Sequence, residues 1–368
     1  MECRIDWEKG IVNRGSLYRL KRLMKRAMNG EKLVIGFIGG SITQGSLSSA
    51  PEKCYAYHVY TWWKNTFPMA GFEYVNGGIG GTSSQFGVAR VEEDLLDMNP
   101  DFVVVDFSVN DKSTDHFMET YEGLLRKVYS YKTEPAVLLL HNVYYDNGAS
   151  AERVHSKLGR HYRLPCISMQ SSIYGEILAG RIENREITPD DLHPNDRGHE
   201  LLASVITNFL DKVLKEIDDK EPAFGLACPM TANTYENSVR YRNQDISPLM
   251  DGFECDNEAQ KDIRDCFKKG WFASENGSTL EFTVKGSGIA IQYRRYALKT
   301  APKARVIVDG NKADAVILDG EFDLDWGDNL ELTTIAEEIE AGEHSVRLEI
   351  FDGEDCEAPF YVVSVITK

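Results

Sequence analysis

The sequence predicts an α/β domain, a parallel sheet flanked by helices, followed by an all-β sandwich. Three observations carry this expectation. Short apolar runs that end in glycine or polar residues alternate with helical stretches through the first part of the chain. After a charged, proline-containing stretch the texture changes to short β-rich runs separated by Gly, Asp and Asn. The length, 368 residues, also exceeds the size at which one hydrophobic core usually stops growing, so two domains are expected.

From Ser16, an N-cap, to Gly30, a stop, residues Leu17, Leu20, Leu23, Met24, Ala27 and Met28 recur at helical spacing. The basic residues between them read as a solvated face. Leu33-Val34-Ile35-Gly36-Phe37-Ile38 is a continuous apolar run of the kind found in buried parallel strands. Further strands are expected at Phe72-Glu73-Tyr74-Val75-Asn76, at Phe102-Val103-Val104-Val105-Asp106-Phe107 and at Ala136-Val137-Leu138-Leu139-Leu140. Helical stretches near 52 to 66, 85 to 97, 114 to 131 and 150 to 163 separate or follow them. A helix from Asn195 to Lys215 closes the domain, and Asp218-Asp219-Lys220-Glu221-Pro222 reads as a linker. This divides the chain into a domain 1 to 218 and a domain 219 to 368. In the second, the runs beginning at Thr279, Gly288, Ala304, Ser345 and Tyr361 are the strands of the sandwich.

Composition narrows the function. Hydrophobic content of 42% is ordinary for a soluble globular protein, and a net charge of −17 opposes nucleic-acid binding, since a phosphate-binding face would have to be built against the overall field. No segment approaches the roughly 20 apolar residues of a membrane span, and the opening Met1-Glu2-Cys3-Arg4-Ile5-Asp6-Trp7-Glu8 has no apolar leader run, so a cytoplasmic location is expected. The 7 cysteines are scattered without a Cys-x-x-Cys pair, and free thiols are expected. Histidines 58, 116, 141, 155 and 161 form no metal-ligand spacing with carboxylates, so no metal is assigned. Nothing in the sequence specifies an oligomeric state.

The chemistry points to Ser41, on the turn Gly39-Gly40-Ser41-Ile42-Thr43 that follows an apolar strand. A serine hydroxyl is a poor nucleophile unless an imidazole takes its proton and a third group orients that imidazole. Asp190-Asp191-Leu192-His193 supplies both from one short loop: Asp190 accepts from His193 Nδ1, which leaves Nε2 for Ser41. Oxyanion donors are offered by the glycine-rich Asn76-Gly77-Gly78-Ile79-Gly80-Gly81-Thr82 and by Ser108-Val109-Asn110-Asp111. Competing motifs fail. The Gly36 to Gly45 stretch has no lysine for a P-loop, the Gly77 to Gly81 run lacks dinucleotide spacing, and Thr43 stands where an α/β-hydrolase elbow needs glycine. His199 reads as a satisfied core histidine, and Trp62 and Trp63 as core or surface.

These four segments, in this order, resemble the blocks of the SGNH, or GDSL-like, hydrolases over roughly residues 32 to 212. The resemblance implies that Ser41 is the nucleophile, that Asp190 and His193 complete a triad, and that Gly81 and Asn110 join the Ser41 amide in an oxyanion hole. It implies no cofactor. Two positions depart from the family: Gly40 replaces the usual Asp, and Ser108 the usual Gly. A hydrolase domain followed by a sandwich resembles bacterial carbohydrate acetyl esterases, in particular the carbohydrate esterase family 17 mannan acetylesterases, whose sandwich resembles a family 35 carbohydrate-binding module. An acetylated oligosaccharide is then the expected substrate. In Asp323-Leu324-Asp325-Trp326-Gly327-Asp328-Asn329 an aromatic among carboxylates is expected to hold the sugar, against the alternative of a Trp packed in the sandwich. A lipase or thioesterase of the same family, and a sugar-binding protein with an inactive hydrolase domain, are the competing readings.

Overall fold

The alternating apolar runs of the first part form a six-stranded sheet. In chain order its strands are β1 (Ile11–Asn13), β2 (Lys32–Gly39), β3 (Gly71–Gly78), β4 (Phe102–Asp106), β5 (Ala136–His141) and β6 (Cys166–Ser168). They lie in the order β1-β6-β5-β4-β2-β3. Strands β2 to β6 are parallel, and β1 adds an antiparallel edge that the sequence reading does not contain. The sheet is therefore mixed rather than purely parallel. A three-residue edge strand gives too short a period to be recognised as a run.

Along β4 and β5 the side chains alternate between two cores. Phe102, Val104, Leu138 and Leu140 face helices α1 (Tyr18–Met28), α3 (Tyr55–Thr66) and α9 (Asp196–Lys215). Val103, Val105, Val137 and Leu139 face α4 (Ser84–Asp94), α5 (Asp115–Tyr129) and α6 (Glu152–His161). The sheet is thus covered on both sides, which is why its strands are apolar throughout. Single-turn α2 (Ser41–Gln44) follows β2, and the short α7 (Ile173–Leu178) and α8 (Asn184–Ile187) precede the loop that leads into α9. Asn195 caps α9 by accepting from Gly198 N–H at 3.0 Å. Chain direction across the sheet reverses at β2, with β3 on one side and β4 on the other, the kind of switch point at which open α/β sheets bind ligands.

The structure, a computed structural model, describes residues 5–368 and divides into two units, the first ending at Glu236 and the second running from Asn237 to Lys368. The sequence reading places the boundary earlier, after residue 218. Residues 219 to 236 are anchored on the first unit: Glu221 accepts from Leu17 N–H at 3.1 Å, and Glu122 accepts from the N–H groups of Met230 and Thr231 at 2.7 and 2.8 Å. Tyr235 is buried in the core beneath α5. A charged segment looks like a linker in sequence, but here Glu221 and the N–H groups of Met230 and Thr231 have fixed partners.

The second unit contains β7 (Val239–Tyr241), β8 (Leu249–Asp251), β9 (Glu254–Cys255), β10 (Trp271–Ala273), β11 (Thr279–Gly286), β12 (Ile289–Ala297), β13 (Lys303–Val308), β14 (Val316–Asp319), β15 (Glu321–Phe322), β16 (Asn329–Ala336), β17 (Gly342–Phe351) and β18 (Phe360–Thr367). One sheet joins β15, β12, β18, β10 and β9, with β16 on β12 and β7 on β18; the other has the order β14-β13-β17-β11-β8. Trp271, Ile291 and Val362 from the first sheet share a core with Leu280, Val306 and Leu348 from the second. That shared core makes the unit a sandwich, as the sequence predicts.

Cys3 lies outside the described residues. Cys54, Cys166, Cys228, Cys255 and Cys356 are free thiols. Among the described residues, no helix is long and apolar enough to cross a membrane.

Candidate active site

Ser41 begins α2, directly beyond the end of β2, and is largely buried. Its hydroxyl lies 2.8 Å from His193 Nε2, although the two residues are 152 positions apart. On the other side of the ring, His193 Nδ1 is 2.6 Å from Asp190 Oδ2. The remaining Asp190 oxygen accepts from the N–H groups of His193 and Leu192 at 2.7 and 3.1 Å. Burial alone would push the Asp190 carboxyl up; the hydrogen bonds from His193 and Leu192 outweigh it and hold the group below its ordinary value. The ionised acid expected of the sequence motif is therefore favoured here.

The turn that brings Asp190 and His193 together has its own brace. Asp191 adopts φ +66°, a left-handed conformation that Asp tolerates better than most residues. Both its oxygens are held by Arg185 at 2.7 Å, and its carbonyl accepts from Tyr145 N–H at 2.7 Å. Asp196 then ties this loop to the segment after the serine, accepting from Ser49 N–H at 2.7 Å and Ser49 Oγ at 2.6 Å.

Gly81 follows β3 and Asn110 follows β4, so both approach Ser41 from the neighbouring strands. Gly81 has φ +71°, which a side chain would strain. Among the described residues, neither the Asn110 side-chain amide nor the Gly81 N–H has a hydrogen-bond partner. Both departures from the family pattern have local reasons. A Cβ at Gly40 would stand 2.3 Å from Asn110 Oδ1, so glycine at this position makes room for the amide beside the serine. Ser108 is fully buried and donates through Oγ to the Asn142 carbonyl at 3.1 Å, tying the loops after β4 and β5 together.

Next to the Ser41 turn lies a buried polar cluster that sequence reasoning misses. Asp106, at the end of β4, accepts from Asn142 Nδ2 at 2.8 Å and from Thr43 Oγ1 at 3.3 Å. Burial pushes its carboxyl up to about 7, against the opposing hydrogen bonds from Asn142, Thr43 and Ser108. Thr43 Oγ1 also meets Tyr55 Oη at 2.8 Å. Fully buried Arg90 reaches up from α4 and donates to the carbonyls of Gly77 and Gly39 at 2.7 and 3.0 Å, with Asp94 balancing its charge at 2.8 Å. Asp106 ends an apolar run, and that interruption is its only signal in the sequence.

The other expected residues separate clearly. His199 is buried in the core: its Nδ1 accepts from Tyr55 N–H at 3.3 Å, and burial lowers its pKa to about 4. Trp63 is fully buried, whereas Trp62 donates to Asp211 at 2.9 Å. Trp326 is 60% exposed and stands edge-on to Phe322 at 5.0 Å, so it is not packed inside the sandwich. Its neighbour Asp328 is engaged by Arg294 at 2.7 Å and by Ala297 N–H at 2.9 Å, which leaves Asp323 and Asp325 as the exposed carboxylates of that loop.

A serine, a histidine and an aspartate hydrogen-bonded in series at the switch point of an α/β sheet define a serine hydrolase. Residues 37–201 match the model of the GDSL-like lipase/acylhydrolase family. The chain is 59% identical to the crystal structure of a two-domain esterase active on acetylated mannans, over 99% of this chain and 98% of that one, with a TM-score of 0.97. The same kind of esterase co-crystallized with mannopentaose matches with the same identity and coverage and a TM-score of 0.94. An acetylxylan esterase of Geobacillus stearothermophilus is 27% identical over 204 residues, 48% of this chain and 91% of the relative. The chain belongs to the GDSL-like lipase/acylhydrolase family and is a carboxylic ester hydrolase.

Proposed function

We propose that this esterase removes O-acetyl groups from acetylated manno-oligosaccharides through an acyl-enzyme on Ser41. The observation that carries the reading is the unbroken chain from Ser41 Oγ through His193 to Asp190, at 2.8 and 2.6 Å, in a protein similar over its whole length to a mannan-active esterase. Ser41 Oγ attacks the acetyl carbonyl while His193 Nε2 takes its proton. Ser41 N–H, Gly81 N–H and the Asn110 amide receive the oxyanion. The tetrahedral species collapses as His193 returns the proton to the departing sugar oxygen. Water, activated by the same imidazole, then releases acetate and restores the serine.

The second unit acts in this reading as a carbohydrate-binding module whose contact surface includes Trp326. Exposure of a large aromatic beside Asp323 and Asp325 supports it, since a sugar ring presents an apolar face for stacking and hydroxyls for the acids. Free thiols on both units suit a reducing cytoplasm, where we place the protein.

Acetate release from acetylated mannan and from p-nitrophenyl acetate tests the proposal. Ser41→Ala should abolish both, and a variant with wild-type turnover would refute the nucleophile. Trp326→Ala should weaken use of the oligosaccharide while sparing p-nitrophenyl acetate; equal losses on the two substrates would remove Trp326 from sugar binding. A wild-type preference for long-chain acyl esters would replace the carbohydrate reading with a lipase.

A further inference from the structure

Donors stabilise an oxyanion only if they are already in place when the charge develops. Three separate segments supply them here, and the segment bearing Gly81 is pinned on both sides by side chains from the other two. On the nucleophile turn, Gln44 Oε1 accepts from Gly80 N–H at 2.7 Å. Beside Asn110, Asp111 Oδ1 accepts from Ser84 N–H at 2.9 Å, at the start of α4. Gly81 hangs between these two fixed points.

Asp111 is itself locked. Its second oxygen meets His155 Nε2 at 3.1 Å, and both side chains are fully buried. The His155 ring lies flat on Tyr121 with centroids 3.6 Å apart, and its Nδ1 has no partner, so the ring's donor is the nitrogen facing Asp111. A buried carboxylate is expensive where a neutral acceptor would satisfy the same backbone amide. What a carboxylate adds is a charge-assisted bond on each oxygen, shorter and stiffer than a neutral one. The segment also runs in contact with the serine turn: a Cβ at Gly80 would be 3.3 Å from Gln44 Oε1 and 3.7 Å from Ser41 Cβ.

We propose that Asp111, held by His155, and Gln44 are positioning residues that set the oxyanion hole by fixing the Gly81 segment against the Asn110 and Ser41 segments. The proposal rests on the assignment of Ser41, Gly81 and Asn110 given above. Neither side chain touches substrate; each acts through the backbone it holds.

The test compares Gln44→Met, Asp111→Asn and Asp111→Ala in the full-length protein with p-nitrophenyl acetate, and measures affinity for phenylboronic acid, which forms a tetrahedral adduct on the serine. Displacing a donor segment should lower kcat by about 10-fold for Gln44→Met and about 100-fold for Asp111→Ala, with KM within about twofold of wild type. Asp111→Asn should fall between wild type and Asp111→Ala, because its amide oxygen can still accept from Ser84. Boronate affinity should fall in parallel with kcat. Gln44 is only partly buried, so its variant keeps the test decisive if the Asp111 variants do not fold. Wild-type kcat and boronate affinity in Gln44→Met and in every Asp111 variant that folds, with only the melting temperature reduced, would overturn the proposal. Full activity in Ser41→Ala would instead overturn the site assignment, whatever these variants do.

Discussion

Two carboxyl groups in the first unit, Asp190 and Asp106, have opposite surroundings. The Asp190 side chain is 44% exposed, sits on a turn at the mouth of the site and is held below its ordinary pKa by donors from His193 and Leu192. Asp106 is 2% exposed, lies under the same serine, and is pushed up to about 7 by burial. The difference separates two jobs. In the proposed mechanism the open acid keeps its charge where an imidazolium forms, and the closed one bonds the turn that carries Ser41.

The largest effect is expected on the open side. Asp190→Asn should lower kcat by roughly 10,000-fold, as loss of the orienting acid does in serine proteases, with little change in melting temperature. A collapse of the melting temperature with kcat preserved would erase the distinction from Asp106. Asn110→Ala comes next, with kcat reduced by about 100-fold at unchanged KM; an unaltered kcat would remove the amide from the oxyanion hole.

Smaller effects should appear on the closed side, in the pH dependence of stability. The folded pKa of Asp106 is raised, so between about 4 and 7 the folded state holds a proton that the unfolded state has lost, and stability falls as pH rises through this window. Asp106→Asn should therefore gain melting temperature relative to wild type as pH goes from 4 to about 7. A constant gap would show that Asp106 does not titrate there. His199 works in the opposite sense. Its folded pKa is lowered to about 4, so its contribution is full above the unfolded value near 6.5 and is lost as pH falls toward 4. His199→Gln should flatten that acid-side loss, and an unchanged slope would assign it to other groups such as buried His141, whose pKa is also lowered by burial.

What was legible in the sequence follows from how local each signal is. Asp190 and His193 lie three positions apart on one turn, and Ser41, Gly81 and Asn110 each follow an apolar strand, so periodicity and turn residues bring these segments into view, while the family resemblance singles out Gly81 within its glycine-rich run. The braces act only through tertiary contact. Asp111 bonds His155 across 44 positions and Asp106 bonds Asn142 across 36, and no pattern in a short window encodes either pair. The same holds for residues 219 to 236, which look solvated until Leu17 N–H is seen to donate to Glu221 and Met230 N–H to Glu122. Strands of two or three residues, such as β1 and β9, carry too few side chains to show alternation.

The placement of β2 between β3 and β4 means that Gly81, Ser41 and Asn110 leave from three adjacent rungs of one sheet. Adjacent strands stand about 4.8 Å apart, a distance dictated by backbone hydrogen bonds and indifferent to side-chain identity. In the proposed mechanism the sheet thereby serves as a gauge block for acyl transfer. Its spacing survives changes in the side chains nearby, so those residues can vary while the separation of the three proposed donor and nucleophile segments stays the same.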